Sequence, residues 1–266
     1  MNNIDIIGGN ANMSTKTVFI TGASSGFGAA CARMFAKEGS RLVLTARRID
    51  PLIALQEELS AICDVHIIPL DVRDREAVQG AIESLPENYR KIDVLLNNAG
   101  LALGLEPAHQ VDLDDWETMV DTNIKGVMYC TRFVLPGMVA SNCGHIVNIS
   151  STAGAWPYPG GNVYGGTKAF VIQFSRNLRC DLLGTNVRVT CIEPGMAETE
   201  FSQVRFKGDA AKAAGVYRGT RPLTGEDIAE TVRWVVSQPP HVNVNTLEVM
   251  SIDQSWGTFA IHREED

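Results

Sequence analysis

Two residues suited to proton transfer lie four positions apart in the segment NVYGGTKAF (162–170). Tyr164 carries a phenol and Lys168 an ammonium, and on a helix this spacing places both side chains on one face. A free phenol has a pKa of about 10, and a nearby cation favours the phenolate that can act at neutral pH. The pair therefore predicts a proton donor and acceptor for hydride transfer between a carbonyl and an alcohol.

The two glycines between these residues weaken a helix by about 1 kcal/mol each relative to alanine. Gly165 and Gly166 are adjacent, so the weakening falls within one helical turn. We expect the absence of side chains to allow the close approach of a cofactor or of a neighbouring helix, and the sequence leaves both possibilities open.

A glycine-rich turn near the start of the chain predicts a pyrophosphate site. The strand-like segment VFIT (18–21) runs into Gly22, Gly26 and Gly28 and then into a helical segment. Glycines allow a tight turn and a close approach of backbone N–H groups, and a helix N-terminus favours an anion. The spacing G-x-x-x-G-x-G departs from the common G-x-G-x-x-G, and the Gly-Lys-Ser/Thr ending of a Walker loop is absent. A tight structural connection is the alternative.

Two arginines after the second strand-like segment favour NADP(H) over NAD(H). A carboxylate there would bind a ribose 2′-hydroxyl, whereas the guanidinium groups of Arg47 and Arg48 suit a 2′-phosphate. The alternative is that they are solvated at a strand end, and the nearby Asp50 weakens the inference. Asp71, after the third segment, either accepts from the adenine amine or caps a helix that begins near Arg73.

The surrounding elements alternate strictly between strand and helix. Seven short β-rich segments, almost continuously apolar, predict parallel strands at 17–21, 41–46, 65–70, 93–98, 145–150, 187–192 and 246–251. Amphipathic helical segments lie between them at 28–38, 51–60, 74–84, 114–141, 162–183 and 225–237. This order predicts an α/β fold: a single doubly wound Rossmann-type domain whose mostly parallel seven-stranded sheet has helices on both faces.

We expect one domain with two short terminal extensions. Residues 1–13 precede the first patterned segment and are interpreted as a disordered extension or tag, and residues 14–250 form the domain. The unpatterned stretch 194–222 is too long for an ordinary connection and suggests a lid over a site. Residues 251–266 form a tail that we expect to reach a neighbouring subunit.

Composition excludes several functional classes. The net charge of −8 argues against a broad nucleic-acid or anionic-membrane surface, and no apolar run approaches the roughly 18 residues that span a bilayer. The six cysteines form no C-x-x-C pair and no cluster of zinc spacing, so we expect no metal site. A reducing, cytoplasmic location fits them best.

Six short motifs occur in order along the chain. They are TG-x-x-x-G-x-G ending at Gly28, NNAG at 97–100, N-x-x-G at 123–126, ISS at 149–151, Y-x-x-x-K at 164–168 and PG at 194–195. Each is weak alone, but together they resemble the short-chain dehydrogenase/reductase family over residues 14–250.

The resemblance implies a catalytic group of Asn123, Ser151, Tyr164 and Lys168. Ser151 is chosen over Ser150 because it lies 13 residues before Tyr164, the usual interval of the family. Ser151 would donate to the substrate oxygen, and Asn123 would orient a water or Lys168 in a proton relay.

The resemblance also implies which residues bind NADP(H). We assign to the cofactor Gly22, Ser24, Ser25, Gly26, Phe27, Gly28, Arg47, Arg48, Asp71, Val72, Asn98, Ala99, Gly100, Tyr164, Lys168, Pro194, Gly195 and Thr199. The last three would hold the nicotinamide end, and Lys168 would also hold the nicotinamide ribose.

The predicted lid carries the clue to the substrate. Residues 201–222 contain five Lys or Arg and one acid in a protein of negative net charge. Arg205, Lys207 and Arg218 could attract an anionic substrate, or the basic residues could simply solvate a mobile lid. Trp156 and Tyr158 would form an aromatic wall that leaves room only for a small substrate.

Longer segments resemble one branch of the family, the NADP-dependent dehydrogenases of serine and other 3-hydroxy acids, to which sulfoacetaldehyde reductases are closely related. The segments are STAGAWPYPGGNVYGGTKAF, EFSQVRFKGD and VNVNTLEVM. The substrate residues on this reading are Ser151, Trp156, Tyr158, Tyr164, Arg205, Gln254 and Phe259. Arg205 would bind the anion, and the tail would bring Gln254 or Phe259 to a neighbouring pocket.

The expected activity is NADPH-dependent, reversible reduction of a small anionic aldehyde. The two candidate reactions are sulfoacetaldehyde to isethionate and malonic semialdehyde to 3-hydroxypropionate. The alternative is oxidation of L-serine or another 3-hydroxy acid, and a non-catalytic NADP(H)-binding sensor or scaffold is the alternative of a different class. The long helical segments 114–141 and 162–183 suggest a homodimer or homotetramer.

Overall fold

A single sheet of seven strands forms the centre of the computed structural model, which describes residues 15–257. Every strand pairing is parallel, and the spatial order is β3-β2-β1-β4-β5-β6-β7. The strands are β1 Thr17–Thr21, β2 Arg41–Ala46, β3 Val65–Pro69, β4 Val94–Asn97, β5 Gly144–Ile149, β6 Val187–Pro194 and β7 Thr246–Val249. The predicted doubly wound fold is confirmed, with a sheet that is wholly parallel.

Helices cover both faces of the sheet. They are α1 Gly26–Lys37, α2 Ile49–Leu59, α3 Arg75–Glu83, α4 Leu113–Val120, α5 Gly126–Ala140, α6 Asn162–Asp181, α7 Phe201–Arg205, α8 Ala210–Gly215 and α9 Gly225–Ser237. Side chains of α1, α2 and α9 share one buried core with the sheet, and those of α3, α5 and α6 fill the other face. No helix within the described range is long and apolar enough to cross a membrane.

The predicted helical segment 114–141 is interrupted by a π-helical turn. Residues Asp121–Lys125 form this turn between α4 and α5. A π turn inserts an extra residue into a helix and often occurs at functional sites. It carries Asn123, and the amphipathic pattern of residues 114–141 contains no sign of the interruption.

A chain of buried hydrogen bonds fixes α6 to the sheet. The amide of Asn97 donates to Thr131 Oγ1 (3.0 Å) and to Asn148 Oδ1 (2.8 Å). Asn148 donates in turn to Ser175 Oγ on α6 (2.9 Å), which donates to the carbonyl of Val171 (2.7 Å). These side chains link β4, α5, β5 and α6, so the helix that carries Tyr164 and Lys168 has one defined position on the sheet.

The first of the two glycines in α6 admits the turn that follows β5. A Cβ on Gly165 would lie 2.9 Å from the carbonyl oxygen of Ala153, whereas a Cβ on Gly166 would meet nothing within 4 Å. From the other side, a Cβ on Gly154 would lie 2.7 Å from the carbonyl carbon of Lys168. The space at Gly165 is therefore occupied by the 3-10 turn Thr152–Gly154, next to Ser151.

The predicted lid contains two short helices, α7 and α8. Its expected ends also carry structure: β6 extends through Pro194, and Ala197 forms an isolated parallel bridge with Leu223. Residues 1–13 and Phe259 lie outside the described residues.

The polar chain generates a prediction about stability. Replacing Asn148 with alanine leaves the buried groups of Asn97 and Ser175 without their partner, so the free energy of unfolding should fall by about 2–4 kcal/mol. Urea unfolding followed by circular dichroism measures the change. Asn177→Ala is the matched control, because Asn177 accepts a hydrogen bond from Gln173 on the exposed face of the same helix, and it should change stability by less than about 0.5 kcal/mol. Similar losses of stability in the two variants would contradict the stabilising role of these buried hydrogen bonds.

Candidate active site

A cleft of about 630 Å³ opens at the carboxyl ends of the strands. It lies where the strand order reverses between β1 and β4, the position at which open parallel sheets bind ligands. Every predicted cofactor and substrate residue among the described ones lines this cleft, with the single exception of Gly28. Three of the four predicted catalytic residues also line it, and Asn123 does not. The structure thus brings together side chains that lie as far apart in sequence as Gly22 and Gln254.

The glycine-rich turn has the geometry of a phosphate cradle. Gly22 and Gly26 have φ angles of 66° and 52°, in the left-handed region that favours glycine. Helix α1 begins at Gly26, and its N-cap, Ser25, makes no side-chain capping hydrogen bond. The first N–H groups of a helix lack partners within it, so this end of α1 can receive the negative charge of a pyrophosphate.

Gly28 has a packing role. A Cβ at this position would lie 2.3 Å from the carbonyl oxygen of Gly22, so only glycine lets α1 begin this close to the turn. Gly28 therefore shapes the turn without lining the cleft, and its direct contact with the cofactor stays a prediction. Gly22 and Gly26 contribute backbone conformation to the motif, and Gly28 contributes close packing.

Asn98 of the NNAG motif holds the same turn from the neighbouring strand. Its amide donates to the carbonyls of Thr21 (2.9 Å) and Gly22 (3.0 Å). The hydroxyl of Thr21 accepts from the backbone N–H groups of Asn98 and Ala99, both at 3.0 Å. These bonds connect the end of β1 to the end of β4, so Asn98 supports the cradle through its side chain.

The two arginines after β2 have different surroundings. Arg48 Nη2 pairs with Glu200 Oε2 at 2.7 Å, which connects β2 to the start of α7 across the cleft. Arg47 makes no ion pair with any described residue, although its charge contributes to a lowered pKa at Asp71. A 2′-phosphate would therefore meet Arg47 without competition and Arg48 only in competition with Glu200.

Asp71 is engaged by an arginine that sequence reasoning did not assign. The guanidinium of Arg73 donates to both Asp71 oxygens, at 2.6–3.0 Å, and holds the pKa of that carboxyl below its usual range. The alternative that Asp71 caps a helix is wrong, because α3 begins at Arg75 and Asp74 is its cap. Asp71 does line the cleft, and its contact with adenine stays a prediction.

Tyr164 and Lys168 lie side by side and are both buried, with 7% and 5% of their surface exposed. Lys168 Nζ lies 5.9 Å from the centre of the Tyr164 ring and donates to the carbonyl of Ile149 at 3.0 Å. The helical spacing read from the sequence is therefore realised. The ammonium is directed at the end of β5.

The electrostatics at this pair differ from the sequence expectation. Burial raises the pKa of Tyr164 to about 12, and hydrogen bonding with Ser151 and the charge of Arg205 act in the opposite direction. The cation whose charge favours the phenolate in this structure is Arg205, and the contribution expected from Lys168 stays a prediction. Burial also lowers the pKa of Lys168 to about 8. Removal from water is the largest cause of both shifts in pKa.

Asn123 is buried behind the cleft and fully engaged. Its Oδ1 accepts from the N–H of Leu101 (2.9 Å), and its Nδ2 donates to the carbonyl of Leu101 (2.8 Å) and to Thr167 Oγ1 (3.0 Å). The expected direct orientation of Lys168 by this side chain is not found. Asn123 instead connects the π turn to the segment after β4 and to α6, and its part in a proton relay stays a prediction.

Ser151 lies at the mouth of the site, next to the end of β6. Its hydroxyl accepts from the N–H of Ala153 (3.1 Å) and donates weakly to the carbonyl of Pro194 (3.4 Å). Its neighbour Ser150 is buried and donates to the backbone carbonyl of Lys168 at 2.8 Å. This contrast supports the choice of Ser151, because only a weakly held hydroxyl can turn toward a substrate oxygen.

Arg205 lies among three aromatic rings at the substrate end. Its guanidinium carbon is 5.2 Å from the ring centre of Tyr164, 5.6 Å from that of Phe201 and 5.8 Å from that of Tyr158. Its Nη2 donates to the Tyr158 hydroxyl at 2.5 Å. Lys207 and Arg218, the other two basic residues proposed to meet the substrate, do not line this cleft.

The aromatic wall is fixed to the edge strand. Trp156 Nε1 donates to Glu248 Oε2 on β7 (2.8 Å), and its ring centre lies 5.5 Å from that of Trp256. Glu248 pairs in register with the buried Glu193 of β6. Burial, with a further contribution from the Glu248 charge, raises the pKa of Glu193 to about 7.

Gln254 reaches the cleft of its own chain. Its Oε1 accepts from the N–H of Met196 at 2.7 Å, and a Cβ on Gly195 would lie 2.2 Å from that oxygen. The side chain therefore supports the turn after β6, and its predicted contact with substrate stays a prediction.

Sequence reasoning missed several residues that line the cleft from the lid, from the end of β7 and from the tail. Phe201, Tyr217, Met250 and Trp256 all border the cleft. The Tyr217 hydroxyl lies 2.8 Å from the carbonyl of Ala197 and 2.5 Å from Ser202 Oγ, which ties the ends of the lid together. The only available signal was the presence of large aromatic residues in an otherwise polar stretch.

Comparisons with known proteins identify the family of this chain. The family model described as short chain dehydrogenase matches residues 16–210. The NADP-dependent 3-hydroxy acid dehydrogenase YdfG of Salmonella typhi is 58% identical over 247 residues, which cover 92% of this chain and 99% of the relative. Sulfoacetaldehyde reductase 2 of Chromohalobacter salexigens is 56% identical over 248 residues, which cover 93% and 98%.

A solved structure gives the same picture of the fold. The closed form of a serine dehydrogenase complexed with NADP+ superposes with a TM-score of 0.91 at 55% identity, covering 93% of this chain and 100% of that one. A crystal structure of serine dehydrogenase from Escherichia coli superposes with a TM-score of 0.79 at 51% identity, covering 90% and 100%.

The buried lysine generates a prediction that separates stability from activity. Because its pKa falls from 10.5 to about 8 on folding, Lys168 destabilises the folded state below pH 8, and this cost disappears as pH rises from 8 to 10.5. Lys168→Met should therefore abolish activity yet raise the free energy of unfolding at pH 7 by up to about 3 kcal/mol. Urea unfolding at pH 7 and pH 10 should show the gain shrinking at the higher pH. The exposed Lys37→Met is the control, and an equal loss of stability at both pH values in Lys168→Met would refute the argument.

Proposed function

This chain is a member of the short-chain dehydrogenase family, and from that premise we propose that it reduces a small aldehyde bearing an anionic group with NADPH, reversibly. The observation that carries the proposal is Arg205, a cation that faces Tyr164 in the cleft and has no carboxylate partner among the described residues. NADP-dependence itself is shared by the relatives and by the NADP+-bound structural neighbour.

The residues present fit NADP(H). The cradle of Gly22 and Gly26 at the start of α1 suits the pyrophosphate, and Arg47 at the end of β2 suits the 2′-phosphate. Lys168 lines the inner end of the cleft, where it would hold the nicotinamide ribose. When bound, the cofactor supplies the hydride, and the protein supplies the proton and the orientation.

The chain's own residues account for the proton. The Tyr164 phenol is protonated at neutral pH because burial raises its pKa to about 12, so it is ready to donate to an oxygen that gains negative charge. Ser151 would donate a hydrogen bond to the same oxygen. In the oxidative direction Tyr164 must accept a proton instead, and the nearby Arg205 charge favours this step because it stabilises the phenolate.

Arg205 is arranged to receive an anion. Its Nε is buried and has no hydrogen-bond partner in the described part of the chain, although a buried donor without a partner is costly. Its Nη2 is held by Tyr158, so the guanidinium has a fixed orientation. A carboxylate or sulfonate would satisfy the remaining donors, and Arg groups bind such oxyanions through two parallel hydrogen bonds.

Two anionic substrate classes fit this arrangement. Sulfoacetaldehyde and malonic semialdehyde both carry a reacting carbonyl a short distance from an anion. In the oxidative direction L-serine and 3-hydroxy acids carry a reacting hydroxyl a short distance from a carboxylate. The names of the relatives include both classes, 3-hydroxy acid dehydrogenase and sulfoacetaldehyde reductase. Assay of NADPH oxidation with the two aldehydes, and of NADP+ reduction with serine and 3-hydroxypropionate, ranks them by kcat/KM.

We also propose that the protein forms a homodimer or homotetramer through α5 and α6. These helices carry partly exposed apolar residues, including Met128, Val139 and the stacked pair Phe170 and Phe174. Sedimentation velocity measures the state directly.

The anion-binding role of Arg205 leads to a prediction about specificity. Arg205→Met should lower kcat/KM for sulfoacetaldehyde about 10- to 100-fold through KM, since a charge-assisted bidentate contact is lost. Propionaldehyde should lose much less, although some loss follows because Arg205 also lowers the pKa of Tyr164. Arg205→Lys is the control that retains the charge. Equal losses with the anionic and neutral aldehydes would overturn the proposed function.

The unequal arginines after β2 give a prediction about the cofactor. Arg47→Ala should weaken NADPH binding about 10-fold or more, whereas Arg48→Ala should weaken it less, because Arg48 must leave Glu200 to reach a phosphate. Fluorescence titration with NADPH and NADH measures both, and NADH, which has no 2′-phosphate, serves as the control ligand. A larger loss in the Arg48 variant would reverse the assignment.

A further inference from the structure

The end of α7 is bound to the segment after β4 and to α4. The N–H of Gly104 donates to the carbonyl of Arg205 at 3.0 Å. Two residues further on, Lys207 Nζ pairs with Asp115 Oδ2 at 2.8 Å. Asp115 belongs to the first turn of α4, so the ion pair crosses from the lid segment to a helix that is about 90 residues away in sequence. Neither Lys207 nor Asp115 lines the main cleft.

The charges on the two sides of this contact are complementary. A second cavity of about 340 Å³ is bordered by three basic residues of the lid, Arg205, Lys207 and Lys212, and by three acids, Glu106, Asp112 and Asp115. The Asp115 carboxylate raises the pKa of Lys207, and Asp112 and Glu106 add to the effect. The side chain of Asp115 is only 16% exposed, so its carboxylate is in large part removed from water and needs a partner. A basic lid residue thus faces acids of its own chain.

The backbone at this point is held in an unusual conformation. Lys207 has a φ of 50°, in the left-handed region, and Gly208 follows with a φ of 90°. A residue other than glycine adopts this region at an energetic cost, which must be offset by its surroundings. The turn ends α7 and directs the Lys207 side chain to Asp115.

We infer that Lys207 and Asp115 are positioning residues for Arg205: their ion pair holds α7 against α4 and so keeps the Arg205 guanidinium over Tyr164. The inference rests on the proposed function, because it assigns the pair to the anion-binding arginine of that site. The pair itself lies outside the cleft that would hold substrate and cofactor. Affinity for an anionic substrate would then depend on an interaction that the substrate does not touch.

Long-range attraction of the substrate by Lys207 is the competing explanation. It predicts that the two single variants change KM in opposite directions. If Lys207 acted only by its positive charge, Lys207→Met would raise KM for an anionic aldehyde and Asp115→Asn would lower it. If the ion pair positions Arg205, each single variant raises KM, because either change breaks the same ion pair. The exchange of charges, Lys207→Asp with Asp115→Lys, should restore the contact.

The experiment compares these variants in the full chain. Lys207→Met and Asp115→Asn should each raise KM for sulfoacetaldehyde about three- to fivefold, with kcat within about twofold and little change for propionaldehyde. The double exchange should recover KM to within about twofold. Lys212→Met is the matched control for the lysine: Lys212 borders the same cavity, so its loss removes the same charge there, but it pairs with Asp209 inside the lid segment and does not cross to α4. Asp114→Asn is the control for the carboxylate, since Asp114 is the exposed neighbour of Asp115 in the same helical turn.

A second readout needs no substrate. Hydrogen exchange of the Gly104 amide, whose partner is the Arg205 carbonyl, should become about threefold to tenfold faster in both single variants and stay unchanged in the two controls. Opposite shifts of KM in the two single variants, or exchange at the unaltered rate, would overturn the inference. If Arg205→Met shows no loss specific to anions, the proposed function fails, and the exchange rate of Gly104 still decides whether the ion pair holds α7 against α4.

Discussion

Close backbone packing between α6 and the turn after β5 is the constraint on which the active site depends. Gly165 packs against the carbonyl of Ala153, and Gly154 packs against the backbone of Lys168. Both contacts are too close for a Cβ at either position. This contact brings Ser151 on the turn close to Tyr164 and Lys168 on the helix. The buried chain from Asn97 to Ser175 then fixes the helix on the sheet. Glycine lowers the helical stability of α6, and the close packing that it permits against the turn offsets this cost.

Burial is the largest influence on the protonation of the two central side chains. Removal from water raises the pKa of Tyr164 and lowers that of Lys168 to about 8, so the phenol is neutral at pH 7 while the ammonium is still mostly charged. A neutral phenol suits proton donation in the reductive direction. Proton acceptance in the oxidative direction needs a positive charge near the phenol, which the chain provides from the lid through Arg205. The catalytic centre and the lid are therefore electrostatically coupled.

Helix α7 is connected to the body of the protein by ion pairs at both of its ends. Glu200 at its start pairs with Arg48 after β2, and Lys207 after its end pairs with Asp115 of α4. The first pair lies at the predicted 2′-phosphate position and the second on the far side of Arg205. The basic residues of the lid consequently have different partners: Arg205 faces the cleft, whereas Lys207 faces acids of its own chain. Both residues are positively charged, so the sequence alone could not distinguish their roles.

The sequence by itself determined the fold class, the seven strands, the glycine-rich turn and the placement of Tyr164 and Lys168 on one helix face. These follow from local pattern and fixed spacing, which the polypeptide geometry translates directly into structure. The choice of Ser151 rests on the interval that the family resemblance implies. Only the tertiary structure decided that Gly28 packs against the turn and that Asn123 accepts a hydrogen bond from Leu101. It also decided that Arg73 donates hydrogen bonds to Asp71. It also decided which lid cation faces the cleft and in which direction the pKa of Tyr164 moves. The physical reason is that desolvation and pairing depend on residues distant in sequence, whose approach no local spacing encodes.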